Sequence, residues 1–243
     1  MSYRLLWEDQ FNQDGAPNPE IWTIETGGHG FGNGEQQFYT NQEKNLFIKD
    51  GILNIVGHKE KYENCEYTSA KLTTEGKKYI QNGRVEVVAK IPSGAGTWPA
   101  VWFLGKQFRT ISWPSCGEID LMEHVGNNPN VVHFSLHSKT NYFHIKNQPT
   151  KVVKQENIVN QFHEFAMDWN QDQITFYLDG KEEETFIKPT DASEEQWPFN
   201  QEFYLILNLA LGGSWGGPID DSMFPVTFQI KSVKIYERSD QIG

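Results

Sequence analysis

Hydrophobic residues recur at every second position along nearly the whole chain, and that period specifies sheet rather than helix. Arg84–Ile91 (RVEVVAKI) sets Val85, Val87, Ala89 and Ile91 against the opposite face. Phe162–Trp169, Ile174–Leu178 and Thr185–Ile187 continue the pattern, parted by Asn170–Gln173 and by Asp179-Gly180. Asn45–Lys49 and Ile52–Gly57 flank Asp50-Gly51, which suits a type I′ hairpin because both central residues of that turn need positive φ. Tyr204–Leu211 and Phe228–Tyr236 add two long runs, and only Asp191–Gln196, after Pro189, reads as a helical turn. Many short strands with frequent turns and no long helix predict an all-β fold, an antiparallel β-sandwich. No repeat, low-complexity tract or linker divides the 243 residues, so one domain over residues 1–243 is expected.

Charge narrows the function. Lys plus Arg number 21 against 32 Asp plus Glu, a formal net charge of −11. A nucleic-acid binder needs a cationic face to displace counterions from phosphates, and none is offered here. The same sign disfavours an anionic membrane surface, and no apolar run approaches the ~20 residues of a span. The opening MSYRLLWEDQF has no basic segment leading into an apolar stretch, so no signal peptide is visible. Cys65 and Cys116 lack metal-ligand spacing and are expected as reduced thiols. P-loop and HExxH patterns are absent, which removes the phosphate-loop and zinc-hydrolase readings. Eight Trp, nine Tyr and sixteen Phe exceed what a core needs and point to a groove that stacks flat ligands such as sugar rings.

Gly117–Glu123 (GEIDLME) sets three carboxylates in an otherwise apolar strand. Like charges so close raise one another's pKa and resist burial, so their presence calls for a use. Alternation puts Glu118 and Asp120 on one face, with Ile119 and Leu121 on the other. Glu123 lies at an odd offset and would fall on the wrong face unless a β-bulge at Leu121–Met122 returned it. With Gly126–Asn130 as a turn and Val131 opposite Val125, Glu123 faces His133, Asp120 faces Ser135 and Glu118 faces His137. Phe134 and Leu136 then join the buried side. Two glutamates about 5–5.5 Å apart are what retaining glycoside hydrolysis requires, one as nucleophile and one as acid/base. Asp120 between them can share a proton with the nucleophile and keep its orientation.

GEIDLME resembles the signature of glycoside hydrolase family 16, in the longer form with Met122 before the last Glu. The resemblance extends through Trp7–Phe11, Gly30–Tyr39, Gly83–Pro92, Gly96–Leu104, Val131–His137, Asn208–Trp215 and Val233–Tyr236, and is strongest to bacterial laminarinases. It implies a β-jelly roll with a concave substrate cleft and an endo-acting β-1,3-glucanase. It implies Glu118 as nucleophile, Asp120 as assisting carboxylate and Glu123 as acid/base. Trp98 and Trp102 match ring-stacking tryptophans, and Asn33, Arg84, His137 and Trp215 match residues lining the glucose subsites; His133 is expected to join them, and His137 to stand beside the catalytic groups.

The chain departs from the family where many relatives bind structural calcium: Gln10 replaces an acidic residue, and Lys231 an Asp of the last strand. An ammonium opposes a cation that wants anionic oxygens, so no calcium and no cofactor is expected. The expected partner is a β-glucan, laminarin first and mixed-linkage β-1,3/1,4-glucan second, acted on by a monomer that the resemblance makes secreted or periplasmic. The alternatives are a glucan-binding protein without catalysis, or a relative that transglycosylates or acts on agar or carrageenan.

Overall fold

The computed structural model describes residues 2–239; Met1 and residues 240–243, the two ends of the expected domain, lie outside the described residues. The strands are, in order, β1 (Tyr3–Asp9), β2 (Thr23–Glu25), β3 (Gln37–Tyr39), β4 (Leu46–Lys49), β5 (Ile52–Tyr62), β6 (Cys65–Ser69), β7 (Lys71–Thr73), β8 (Gly83–Lys90) and β9 (Thr97–Gly105). They continue as β10 (Glu118–Glu123), β11 (Val131–His137), β12 (Thr150–Lys154), β13 (Phe162–Trp169), β14 (Gln173–Leu178), β15 (Lys181–Ile187), β16 (Phe203–Leu211) and β17 (Val226–Arg238). One sheet has ten strands, running β15-β14-β13-β8-β17-β5-β6-β3 with β1 on β17 and β4 on β5; the other has seven, in the order β12-β11-β10-β9-β16-β7-β2. The expected antiparallel sandwich is present, with β3 and β6 as a parallel pair at one edge.

Side-chain alternation builds the two layers. In β8, Val85, Val87 and Ala89 are fully buried between the sheets, while Arg84, Glu86 and Lys90 turn outward. From the other sheet Val101, Phe103, Ile119, Phe134, Leu205, Leu207 and Leu209 meet them in one core. Transfer of such side chains from water stabilises the fold by roughly 1.5–3 kcal/mol each. In the interior of the seven-stranded sheet, next to the central β9, β16 is buried on both faces. Its outward Tyr204 and Ile206 join Leu104 and Cys116 under Trp102, Trp113, Tyr79 and Phe108. The seven-stranded sheet therefore carries a second, smaller apolar layer on its outer face, and the floor of the cleft rests on it.

The Asp50-Gly51 turn has φ of 52° and 74°, as the hairpin requires. Asp191–Gln196 forms hydrogen-bonded turns, not the expected helix: Ala192 N–H donates to Pro189 O, and the N–H groups of Gln196 and Trp197 to Ser193 O. Asp191 takes a φ of 58°, outside the right-handed helical region. Buried Trp197 and Phe199 then draw the chain into the core. Among the described residues α-helix occurs as two single turns, α1 (Phe108–Ile111) and α2 (Gly213–Gly216), beside short 3-10 turns. No helix among the described residues is long and apolar enough to cross a membrane.

Candidate active site

β10 has the expected bulge. Glu118 pairs with His137, Asp120 with Ser135 and Glu123 with His133, leaving Leu121 and Met122 together opposite Phe134. On the other side Asp120 pairs with Trp102 and Glu123 with Ala100. Ile119, Leu121 and Met122 are all fully buried in the core. The extra residue thus keeps three apolar side chains inside and lets three carboxylates share the cleft face, which strict alternation forbids. The chain then leaves the sheet through a turn closed by Asn128 N–H on Val125 O, at 2.9 Å.

These carboxylates repel one another, with Asp120 buried and Glu118 and Glu123 half-buried beside it. Burial, then the charge of Asp120, holds Glu118 well above the usual carboxylate range, against the pull of His137 and the Trp113 indole. Burial and the charge of Glu123 do the same to Asp120. Glu123 is pushed up to about 7 by burial and then by Glu118. The three cannot all be ionised at once near neutrality. Nε2 of His137 lies 3.1 Å from Asp120 Oδ2 and 3.7 Å from Glu118 Oε1, within reach of both carboxylates. Ser135 turns to β12, its hydroxyl 2.9 Å from that of Thr150.

Tryptophans flank the carboxylates. Trp98 and Trp102 share the outer face of β9: Nε1 of Trp98 donates to Glu123 Oε1 at 3.2 Å, and Nε1 of Trp102 to Asn208 Oδ1 at 2.7 Å. Trp215, on α2 and 37% exposed, stands edge-on to Trp98 at 5.6 Å and to His133 at 4.8 Å between ring centres. Burial lowers the pKa of His133, keeping that imidazole neutral. Asn33 lies beside α2, its carbonyl accepting from Ser214 N–H at 2.7 Å. Its amide donates to Glu35 at 3.1 Å; Gln37 and the Tyr39 hydroxyl donate to the same carboxylate, and Asn208 donates to that hydroxyl. A continuous hydrogen-bonded chain thus joins rim residue Asn33 to floor residue Trp102.

Arg84 is not in the site. Its strand, β8, belongs to the ten-stranded sheet, between β13 and β17. It points outward there, pairing with Glu86 at 2.7 Å and Asp168 at 3.0 Å. The cation at the cleft is Lys71 on β7, whose Nζ lies 5.6 Å from the Trp102 ring centre and 3.0 Å from Glu25 Oε2. Lys71, Glu35, Asn208 and Trp113 went unnoticed in the sequence. For Lys71 and Asn208 the one available signal was a polar residue inside a buried run, such as the Asn in the otherwise apolar β16; Glu35 and Trp113 lie in half-exposed stretches with no such mark. Among the described residues Glu118, Asp120 and His137 also form the one group of three or more potential metal-binding side chains.

Such a site supports acid/base and nucleophilic chemistry on a neutral, ring-shaped substrate. The profile of Glycosyl hydrolases family 16 matches residues 32–224. Beta-glucanase of Rhodothermus marinus is 39% identical, the alignment covering 96% of this chain and 85% of that protein. The solved structure of the laminarinase from Rhodothermus marinus superposes with a TM-score of 0.94 at 38% identity, over 97% of this chain and 98% of that one. The laminarinase from Flavobacterium sp. UMI-01 gives a TM-score of 0.89 at 40% identity, over 96% and 100% of the two chains.

Proposed function

Because the chain belongs to family 16 of the glycosyl hydrolases, we propose that its single catalytic domain cleaves β-1,3-glucan by double displacement, through Glu118, Asp120 and Glu123. The enzyme is an endo-acting glycoside hydrolase of laminarin type. The observation that carries the mechanism is the bulge in β10, which gathers the three carboxylates on one face beside Trp98 and Trp102.

In the first step Glu118 attacks the anomeric carbon, the bond to the leaving oxygen breaks, and Glu123 gives that oxygen its proton. The proton shared by Glu118 and Asp120 must then sit on Asp120, beside His137 Nε2. In the second step Glu123 takes a proton from water, whose oxygen attacks the same carbon and releases Glu118. Two inversions leave the β configuration. A pKa of about 7 suits a group that must donate and then accept.

Trp98, Trp102 and Trp215 supply ring faces for glucosyl units, and Asn33, His133 and Lys71 the polar contacts around them. A merely glucan-binding protein has no use for three carboxylates gathered at such electrostatic cost. The sulfates of carrageenan call for free cations at the cleft, whereas Lys71 is engaged with Glu25. The enzyme works as a secreted or periplasmic monomer on laminarin, with mixed-linkage glucan as second substrate.

Family 16 implies a structural calcium in many members, and the residues here do not fit one. Both Asp9 carboxylate oxygens are taken, by Phe11 N–H and Trp22 Nε1 at 2.8 Å each, and the Gln10 amide donates to Glu8. The β1–β17 ladder ends at Asp9↔Val233, so Gln10 and Lys231 lie just beyond it, bringing an amide and an ammonium in place of two carboxylates.

A panel of laminarin, mixed-linkage glucan, agarose and carrageenan tests the substrate. Reducing ends should appear fastest from laminarin, with a rapid fall in viscosity marking internal cleavage. Activity confined to agarose or carrageenan overturns the assignment.

A further inference from the structure

We propose that Tyr142, Phe143 and His144, backed by Trp113, form an aromatic subsite that holds a glucosyl unit beyond the one that reacts. This deepens the reading of the substrate given above and rests on it.

The rings form an unbroken series that begins at the catalytic carboxylates. His137, whose Nε2 is 3.1 Å from Asp120, lies 6.1 Å from Trp113 and 6.2 Å from Phe143 between ring centres. Trp113 in turn lies 5.5 Å from Tyr142, 5.3 Å from Phe143 and 6.0 Å from His144. Phe143 and His144 are 4.0 Å apart at the outer end. The series leads out of the cleft to solvent, where Phe143 is 38% exposed.

The loop does not need these rings to keep its shape. Ser138 and Asn141 exchange backbone hydrogen bonds of 2.7 and 3.1 Å across its base. Asn147 accepts from Tyr142 N–H at 3.1 Å and donates to Thr140 O at 2.9 Å. Its polar residues close the turn, and Phe143 and His144, though packed on one another and on Trp113, stay exposed to solvent. A pyranose suits them, because its C–H faces stack on aromatic rings while its hydroxyls stay near water and imidazole nitrogens.

Rates of hydrolysis of laminarioligosaccharides from trimer to hexamer test this. Phe143→Ala should lower kcat/KM for the hexamer by about tenfold and leave the trimer within about twofold, since only a longer chain reaches the outer rings. Phe143→Trp should restore the length dependence, and His144→Ala should reproduce the loss. Ile145→Ala, on the same loop but without a ring, should change neither substrate. Equal loss at every length would make the rings mere support for His137 and overturn the subsite, as would no loss at any length. If the unsubstituted enzyme cleaves none of these oligosaccharides, the reading of the substrate falls and the subsite with it.

Discussion

The indole N–H of Trp98 donates a 3.2 Å hydrogen bond to Oε1 of Glu123. A side chain expected only to stack a sugar ring is therefore also a determinant of the acid/base. Its N–H favours the carboxylate form and so lowers a pKa that burial and Glu118 together raise to about 7. In Trp98→Phe a ring remains and the donor is lost, so the pKa of Glu123 should rise further. Glu123 must be protonated to donate, so the alkaline limb of kcat/KM should move to higher pH while KM changes little. A limb that stays in place, or moves down, would show that the bond does not govern the proton.

Glu123 also opposes folding. Its pKa is about 7 in the fold against an ordinary 4.5, so between those values the folded chain holds more protons than the unfolded one. The group's contribution to stability is thus fully present below 4.5 and is lost as pH rises through 7, a loss of about 3 kcal/mol. Glu123→Gln removes the titration. Its melting temperature should exceed the wild type's at about pH 8, with the gap closing near pH 4. A variant less stable than wild type at alkaline pH would contradict this assignment of strain to the catalytic carboxyl.

Calcium should leave stability unchanged. Thermal unfolding in EDTA and in excess calcium should coincide, because a ligand stabilises only where the native state binds it. A marked rise in melting temperature with calcium would mean that groups other than Gln10 and Lys231 build a site.

Arg84→Ala should spare catalysis and weaken the fold. The guanidinium pairs with Glu86 and Asp168 at a point where Tyr3 and Tyr177 also donate to Asp168. Its loss should cost about 1–3 kcal/mol, or a few degrees in melting temperature. With the side chain in the opposite sheet from the carboxylates, kcat and KM on laminarin should stay at wild-type values. A rise in KM would return Arg84 to the subsites.

The catalytic strand could be read from sequence because its constraint is local. Carboxylates at an odd offset demand a bulge, and a single register then places His133, Ser135 and His137. Arg84 shows the opposite case. Both layers of a sandwich alternate with the same period, so GRVEVVAKI says which residues face outward but not which sheet they face out from. That choice is made by pairing with β13 and β17, about 80 and 150 residues away along the chain. The chain of hydrogen bonds from Asn33 to Trp102 draws on three separate segments, and no local pattern announces it. At Asp191–Gln196 burial of Trp197 and Phe199 outweighed local helical character.

The roles of Glu118 and Glu123 can be separated by the stereochemistry of rescue. Glu118 sits at the His137 end of the bulge and Glu123 at the end where Trp98 donates to it. Glu118 must be ionised to attack and Glu123 protonated to donate, so activity should be bell-shaped in pH. Removing either should lower kcat on laminarin by several orders of magnitude, since the two act as a unit. An activated β-glucoside whose leaving group needs no proton relieves Glu123 of its first task. With that substrate Glu123→Ala should still form the glycosyl-enzyme, and azide, which needs no general base, should displace Glu118 to give the β-glycosyl azide. In Glu118→Ala the space of the nucleophile is open, so azide attacks the substrate directly and a single inversion gives the α-glycosyl azide. Exchanged products would reverse the two assignments, and an α-configured first product from the unaltered enzyme on laminarin would end the double-displacement reading.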